Sequence, residues 1–143
     1  MKVILCLDDK NGMMFHRRRQ SRDREVIKDI EMMCENKLLW INGFSIGLFE
    51  NTKIKIQCDE DFLIKAGLGE YCMVEDQRIG DYEEKIEEVI CYRWNRRYPA
   101  DFSLDVDLSQ WQCIGTEEWK GYSHDKITKE RYKKVDKDEN KEC

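Results

Sequence analysis

The chain has 143 residues, of which 41% are hydrophobic and 38% charged, and its formal net charge is −5. This length and composition predict one globular domain rather than a disordered chain, and the acidic balance disfavours a general nucleic-acid binder. No apolar run approaches the roughly 20 residues of a membrane span, and the N-terminal apolar run meets acids too soon for a signal peptide, so we expect a cytoplasmic protein.

The cysteine and histidine residues limit further which kinds of site the sequence can form. The seven cysteines are odd in number, several lie in strand-like apolar runs, and no two have CxxC spacing. We therefore expect reduced, mostly buried thiols rather than disulfides. His16 and His124 stand alone, and the sequence predicts no metal site.

The stretch from residue 11 to residue 23 carries most of the prediction of function. The β-branched apolar run Lys2–Leu7 predicts a buried strand, and Asn11-Gly12 predicts a tight turn after it. We expect a loop and one helical turn to follow. This part of the chain is rich in arginine, at Arg17, Arg18, Arg19 and Arg22.

An amphipathic helix is predicted after this loop, with Ser21 as its N-cap. Its apolar face consists of Val26, Ile27, Ile30, Met33 and Cys34. Asp23 precedes Val26 and Ile27 by three and four residues, which places it on the same inward face. An unpaired buried carboxylate is costly, so two interpretations stay open. Asp23 contacts a ligand, or it only caps the helix or pairs with an arginine.

The rest of the chain alternates strands with short helices. Strands are predicted at residues 37–41, 52–57, 70–74 and 86–94, and short helices near residues 46–49, 59–66 and 79–85. Further strands are predicted at residues 102–106, 111–119 and 126–132, the last two antiparallel. The pattern predicts an α/β domain over residues 1–132, with a twisted, mainly parallel sheet, helices on both faces and an antiparallel C-terminal edge. Residues 133–143 are expected to form a charged, flexible tail.

This order of elements resembles dihydrofolate reductase. The matching segments are short and lie at residues 9–12, 20–23, 42–45, 98–101, 106–111 and 127–132. The resemblance implies that family's three-layer α/β fold. It also puts Asp23 where the family's acid binds the pterin ring and assists its protonation. Ser45 falls in the place of the family's Gly-Arg-Lys-Thr segment and is a second candidate.

The chain departs from that family where the family binds its cofactor. Glu75-Asp76 follows the strand that precedes the family's Gly-Gly, and Gly43-Phe44 replaces its basic Arg-Lys pair. Two glycines let a backbone approach a pyrophosphate, whereas two carboxylates repel it. We therefore predict no cofactor and expect NADPH binding to be lost.

The arginines admit two interpretations. Guanidinium groups suit phosphate or carboxylate, and the arginines of residues 17–22 repel one another unless an anion neutralises them. Three further arginines beside two aromatic residues form a second basic and aromatic group, able to hold a phosphate and stack on a base: Arg93, Arg96 and Arg97, with Trp94 and Tyr98. The alternative is that these arginines pair with acids of the chain itself, such as Asp8, Asp9, Glu75 or Asp76.

Three kinds of function follow. We favour a catalytically degenerate reductase-fold protein that binds an anionic nucleotide-like or pterin-like small molecule and senses, carries or sequesters it. The second is an enzyme, either a divergent NADPH-dependent reductase or a small hydrolase that uses Asp23 as general base. The third is an RNA- or protein-interaction module that uses the arginine and aromatic surface.

Overall fold

The fold is described from a computed structural model, in which residues 1–135 are placed. The α-helices are α1 (Arg24–Met33) and α2 (Phe62–Lys65), and 3₁₀ helices span Ile46–Phe49, Gly80–Lys85 and Leu108–Gln110. The strands are β1 (Lys2–Leu7), β2 (Gly12–Phe15), β3 (Arg18–Arg19), β4 (Leu38–Ile41), β5 (Lys55–Cys58), β6 (Tyr71–Met73), β7 (Glu88–Arg93), β8 (Phe102–Ser103), β9 (Trp111–Trp119) and β10 (Ile127–Lys134).

Seven strands form the central sheet, in the order β5-β4-β6-β1-β7-β10-β9. The five strands from β5 to β7 run parallel to their neighbours. β10 runs antiparallel to β7 on one side and to β9 on the other. These pairings confirm the predicted mainly parallel sheet with an antiparallel C-terminal edge.

The sheet separates two apolar clusters. Successive side chains of a strand point to opposite faces, so Val3 and Leu5 pack on one side of β1 and Ile4 on the other. Phe62 of α2 packs in the cluster with Val3, while Ile30 of α1 packs in the cluster with Ile4. β1 is buried on both faces, which explains its nearly continuous apolar sequence.

Helix α1 begins later than predicted. Asp23, not Ser21, is the N-cap: its backbone is extended, with φ −148°, and its side chain accepts the Glu25 N–H. The prediction that Ser21 caps the helix is therefore wrong. The Ser21 hydroxyl instead lies within hydrogen-bonding distance of His124, a residue distant in sequence.

The arginine-rich stretch is a hairpin rather than a loop and a helical turn. β2 and β3 pair antiparallel, and the turn between them holds His16 and Arg17 at φ 51° and 61°. Positive φ is rare for such residues, and the usual Asn-Gly signal of this kind of turn is absent, so the hairpin was not predicted. β8 pairs with β2 to complete a small three-stranded sheet. The strand predicted at residues 102–106 therefore shortens to two residues outside the main sheet.

The C-terminal part and the cysteines complete the description. β10 continues to Lys134, so the predicted tail begins within the sheet, and residues 136–143 lie outside the described residues. The six cysteines among residues 1–135 are free thiols, and three of them are buried. None of the helices in residues 1–135 has the length and apolar character needed to cross a membrane.

Candidate functional site

Asp23 is buried at the start of α1, where its carboxylate accepts hydrogen bonds from two segments of the chain. Oδ1 accepts the backbone N–H groups of Glu25 and Tyr122, each at 2.9 Å. Oδ2 accepts the Ser123 N–H at 2.9 Å and lies 2.9 Å from His124 Nδ1. Burial by itself would raise the pKa of the Asp23 carboxyl, but the hydrogen bonds from His124 and three backbone N–H groups outweigh it and hold that pKa well below its usual range. The carboxylate thus fastens the β9–β10 connection to α1.

His124 extends this network to two hydroxyl groups. An ionised carboxylate only accepts hydrogen bonds, so the proton of the neutral imidazole is assigned to Nδ1, and Nε2 is an acceptor. Nε2 lies 3.0 Å from Ser21 Oγ and 3.1 Å from the Tyr98 hydroxyl. The ring is stacked on Trp94, with centroids 4.6 Å apart. Asp23 therefore orients the imidazole, and the imidazole in turn holds Ser21 and Tyr98.

Arg19 and Ser45 meet at the end of β6. Arg19 contacts Glu75 through Nε at 2.8 Å and Nη2 at 2.9 Å, and the Ser45 hydroxyl donates to the same carboxylate at 2.7 Å. The hydrogen bond to Glu75 raises the pKa of Arg19 above its ordinary value. Asp76, the next acid, accepts a hydrogen bond from the side-chain amide of Asn42 at 2.8 Å. The interpretation that the arginines pair with acids of the chain is therefore correct for Arg19.

The remaining predicted residues separate into an internal and an exposed group. Arg93 pairs with Glu130 at 2.8 Å and also contacts Asn11. Trp94 is buried under His124, with 3% of its surface exposed, so it offers no open stacking face. The four others have exposed side chains: Arg17, Arg18, Arg22 and Arg97.

A cleft of about 630 Å³ opens between the β2–β3 hairpin and the segment that follows β7. Its volume lies within the range of small-molecule sites, roughly 300–1,000 Å³. Cationic and aromatic side chains dominate it, and it has no carboxylate among its lining residues: Phe15, His16, Arg18, Arg19, Gln20, Tyr98 and Pro99. A second cavity, of about 400 Å³, is lined by Arg17 together with two acids and three apolar residues: Asp76, Asp101, Met14, Phe44 and Phe102. The structure thus brings Arg18 and Arg19 together, while Asp23 reaches this cleft only through His124 and Tyr98.

Other parts of the surface fit a ligand less well. A groove of about 800 Å³ lies at the far end of α1, and no buried polar side chain lines it. Its charged lining residues are both lysines and glutamates: Lys28, Glu31, Glu35, Lys53 and Lys55. Within residues 1–135, no three His, Cys, Asp or Glu side chains are grouped to hold a metal ion.

Sequence reasoning missed His124 and Ser21 as members of the site. His124 was set aside because no other histidine or cysteine lies near it in sequence, which is a criterion for metal sites only. Tyr98 belongs to the predicted basic and aromatic group, and it lines the cleft. Ser21 was assigned to helix capping, a role that Asp23 fills.

No protein-family model and no curated protein matches this sequence. Among solved structures, the chain is similar to dihydrofolate reductase from Enterococcus faecalis in complex with NADP(H) and RAB-propyl. The two share 11% sequence identity with a TM-score of 0.65, over 94% of this chain and 96% of that chain. The chain therefore has the dihydrofolate reductase fold, and the resemblance noted in the sequence is confirmed at the level of the fold.

The comparison also corrects the prediction about cofactors. We predicted no cofactor and the loss of NADPH binding, and this prediction is contradicted by a protein of the same fold that holds NADP(H). The prediction treated Glu75 and Asp76 as free charges that would repel a dinucleotide. Glu75 is neutralised by Arg19, and Asp76 is hydrogen-bonded to Asn42. The charge of Glu75 is therefore no ground for excluding such a ligand.

Proposed function

We propose that this protein binds an anionic small molecule with a flat ring, nucleotide-like or pterin-like, in the cleft between the β2–β3 hairpin and Tyr98. The observation that carries the proposal is the lining of this cleft, which combines cations and aromatic rings without a carboxylate side chain. Guanidinium forks bind phosphate or carboxylate oxygens with paired hydrogen bonds, and aromatic rings stack on a planar heterocycle. The reductase-type scaffold supports the same class of ligand.

The residues around the cleft have separate roles in this proposal. Arg18 is exposed at the cleft and supplies the principal contact to the anion. Arg17 lines the second cavity, and the exposed Arg22 and Arg97 raise the local positive potential. Arg19 contributes less charge, because Glu75 neutralises it.

Buried polar residues position this lining rather than contact the ligand. Asp23 orients His124, whose Nε2 faces the Tyr98 hydroxyl. Ser45 helps Glu75 to hold Arg19. We therefore assign Asp23 and Ser45 to positioning, because the oxygen atoms of both are already engaged within the chain.

NADP(H) belongs to the proposed class of ligands, since it is an anionic nucleotide. The second candidate function is accordingly a divergent NADPH-dependent reductase, supported by the fold shared with a reductase solved with NADP(H). Sensing, carrying or sequestering the ligand remains the first candidate, and we keep the cytoplasm as the proposed location, on the support of the free thiols.

Thermal-shift screening followed by titration calorimetry tests the proposal. The panel consists of NADP(H), folates, and mono-, di- and cyclic nucleotides. We expect at least one of them to stabilise the protein, and Arg18→Gln to weaken its binding about 10-fold, the effect of one charge-assisted hydrogen bond. Lys55→Gln removes one exposed positive charge from β5, at the far edge of the sheet, and should leave binding unchanged.

The same screen separates the alternatives. Loss of nicotinamide absorbance when NADPH and a folate are both present identifies a reductase. Stabilisation without turnover identifies a binding protein. If no member of the panel raises the melting temperature, the proposed function is wrong, and retention of RNA or a protein partner then favours an interaction module.

A further inference from the structure

Ser21, His124 and Asp23 are joined by a chain of hydrogen bonds, and the proposed binding function does not account for all of it. Ser21 Oγ lies 3.0 Å from His124 Nε2, and His124 Nδ1 lies 2.9 Å from Asp23 Oδ2. Both distances are those of hydrogen bonds. The serine and the acid lie just before the first residue of α1, whereas the histidine comes from the β9–β10 connection, 101 residues after Asp23.

The donors and acceptors in this chain of hydrogen bonds are ordered as in sites that activate a hydroxyl group. Asp23 accepts three backbone N–H groups and the Ser123 hydroxyl, so it is held as an anion. The anion accepts a hydrogen bond from the Nδ1–H of the imidazole, which leaves the Nε2 lone pair facing Ser21. A hydroxyl paired with an imidazole that a buried carboxylate orients is the arrangement of an activated serine nucleophile.

The imidazole is also fixed in place. His124 is 3% exposed and stacks on the buried Trp94 with an angle of 21° between the ring planes. Gly121 allows this packing, because a Cβ atom there would lie 2.6 Å from Asp23 Oδ2 and 2.9 Å from the His124 carbonyl oxygen. An imidazole that cannot rotate keeps its Nε2 lone pair directed at the Ser21 hydroxyl.

Ser21 remains open to a reactant on its other side. Its side chain is partly exposed, so a reactant can approach it from solvent. The crevice that it borders holds only about 10 Å³, roughly one water molecule, and is lined by the charged side chains of Arg22, Asp23 and Glu75 as well as by apolar ones. The Tyr98 hydroxyl, 3.1 Å from Nε2, competes with Ser21 for the same lone pair.

We propose that Ser21 is a nucleophile toward small carboxylic esters, with His124 as its general base and Asp23 as the positioning residue of the imidazole. Ser21 Oγ forms a bond to the ester carbonyl carbon, its proton passes to His124 Nε2, and the carbonyl π electrons move to the carbonyl oxygen. When these electrons return, the bond to the alkoxide breaks, and the alkoxide leaves with the proton from Nε2. Water repeats the sequence on the acyl-serine and releases the carboxylic acid.

A fluorophosphonate probe tests this directly, because it reacts with serine hydroxyls that have a positioned base. The Ser21 Oγ–phosphorus bond forms, the phosphorus–fluorine bond breaks, and hydrogen fluoride leaves. Mass spectrometry should locate one adduct on Ser21. We expect Ser21→Ala to abolish the adduct, and His124→Gln to slow labelling by about 10²-fold or more, the usual contribution of a general base.

Three controls separate this proposal from a purely structural role of the network. Ser109→Ala removes an exposed serine that bonds Asp107 and no histidine, and should leave labelling unchanged. Tyr98→Phe removes the competing hydroxyl and should maintain or raise the labelling rate. The rate in the unmodified chain should also rise with pH along a single-proton curve, since only neutral imidazole accepts a proton.

The outcomes are unambiguous when circular dichroism shows that each variant is folded. No adduct on Ser21, an adduct only on another residue, or equal labelling of a folded His124→Gln variant overturns the proposal. If His124→Gln does not fold, two other results overturn the proposal: a labelling rate that does not rise with pH, or a lower labelling rate in Tyr98→Phe than in the unmodified chain. Ligand binding is measured on the unmodified chain, so the absence of an adduct on Ser21 leaves the proposed binding function standing.

Discussion

Arg19 holds Glu75 with two hydrogen bonds, at 2.8 and 2.9 Å, and thereby joins the β2–β3 hairpin to the end of β6. The pair is largely desolvated, because Glu75 is only 8% exposed. The Ser45 hydroxyl adds a third hydrogen bond to the same carboxylate. The cationic hairpin is therefore anchored at the place where the sequence suggested two repelling acids.

Removal of one partner of this ion pair should cost more than removal of both. Arg19→Met leaves the buried Glu75 charge with the Ser45 hydroxyl alone, and we expect the free energy of unfolding to fall by about 3 kcal/mol. In Arg19→Met/Glu75→Leu no charge is left uncompensated, and part of the loss should be recovered. Urea denaturation of the two single variants and the double variant measures the coupling. Additive single losses would show that the contact is not formed.

Gly121 and Gly115 offer a matched pair of substitutions in the β9–β10 region. Gly121→Ala places a methyl group against Asp23 and His124, so we expect a loss of about 2 kcal/mol, typical of overpacking, and displacement of the imidazole. Nothing lies within 4 Å of a Cβ atom at Gly115, and Gly115→Ala should leave stability nearly unchanged. Thermal unfolding measures both. Equal effects would contradict the described packing around Asp23.

The low pKa of Asp23 predicts how stability depends on pH. Burial opposes the shift, but the hydrogen bonds dominate and lower the pKa in the folded state. The unfolded chain then binds the proton more readily, so the stabilisation is complete above the unfolded pKa, about 4, and is lost as pH falls below it.

Asp23→Asn isolates this contribution. The variant should be less stable at pH 7, because it leaves His124 without its anionic partner. Its free energy of unfolding should also fall less steeply between pH 5 and pH 3 than that of the unmodified chain. Urea denaturation at a series of pH values measures the two slopes. Parallel curves would show that Asp23 is not held as an anion.

The cysteines should divide into fast and slow thiols. Burial raises the pKa of Cys34, Cys72 and Cys91 to about 12. Cys58 and Cys113 are exposed. Because the thiolate is the reactive form, iodoacetamide should modify the exposed pair at least about 10²-fold faster than the buried three. Peptide mapping by mass spectrometry follows each thiol separately, and uniform rates would contradict the described core.

The secondary structure could be predicted largely because its signals are local. The apolar runs of β1 and β7 and the helical spacing of Val26 and Ile30 depend only on neighbours in the chain. The start of α1 and the β2–β3 hairpin were not predicted, because neighbouring residues do not signal either of them. Ser21 is engaged by a distant histidine, and the turn at His16 and Arg17 adopts positive φ without the residues that usually favour it.

The sequence by itself determined the mainly parallel α/β architecture and the position of a cationic stretch before α1. Only the tertiary structure decided which polar groups meet. Asp23 and His124 lie 101 residues apart, and Arg19 and Glu75 lie 56 apart. Such pairs form because a buried charge must find a partner once strands from both ends of the chain assemble into one sheet, and no local pattern encodes which partner it will be.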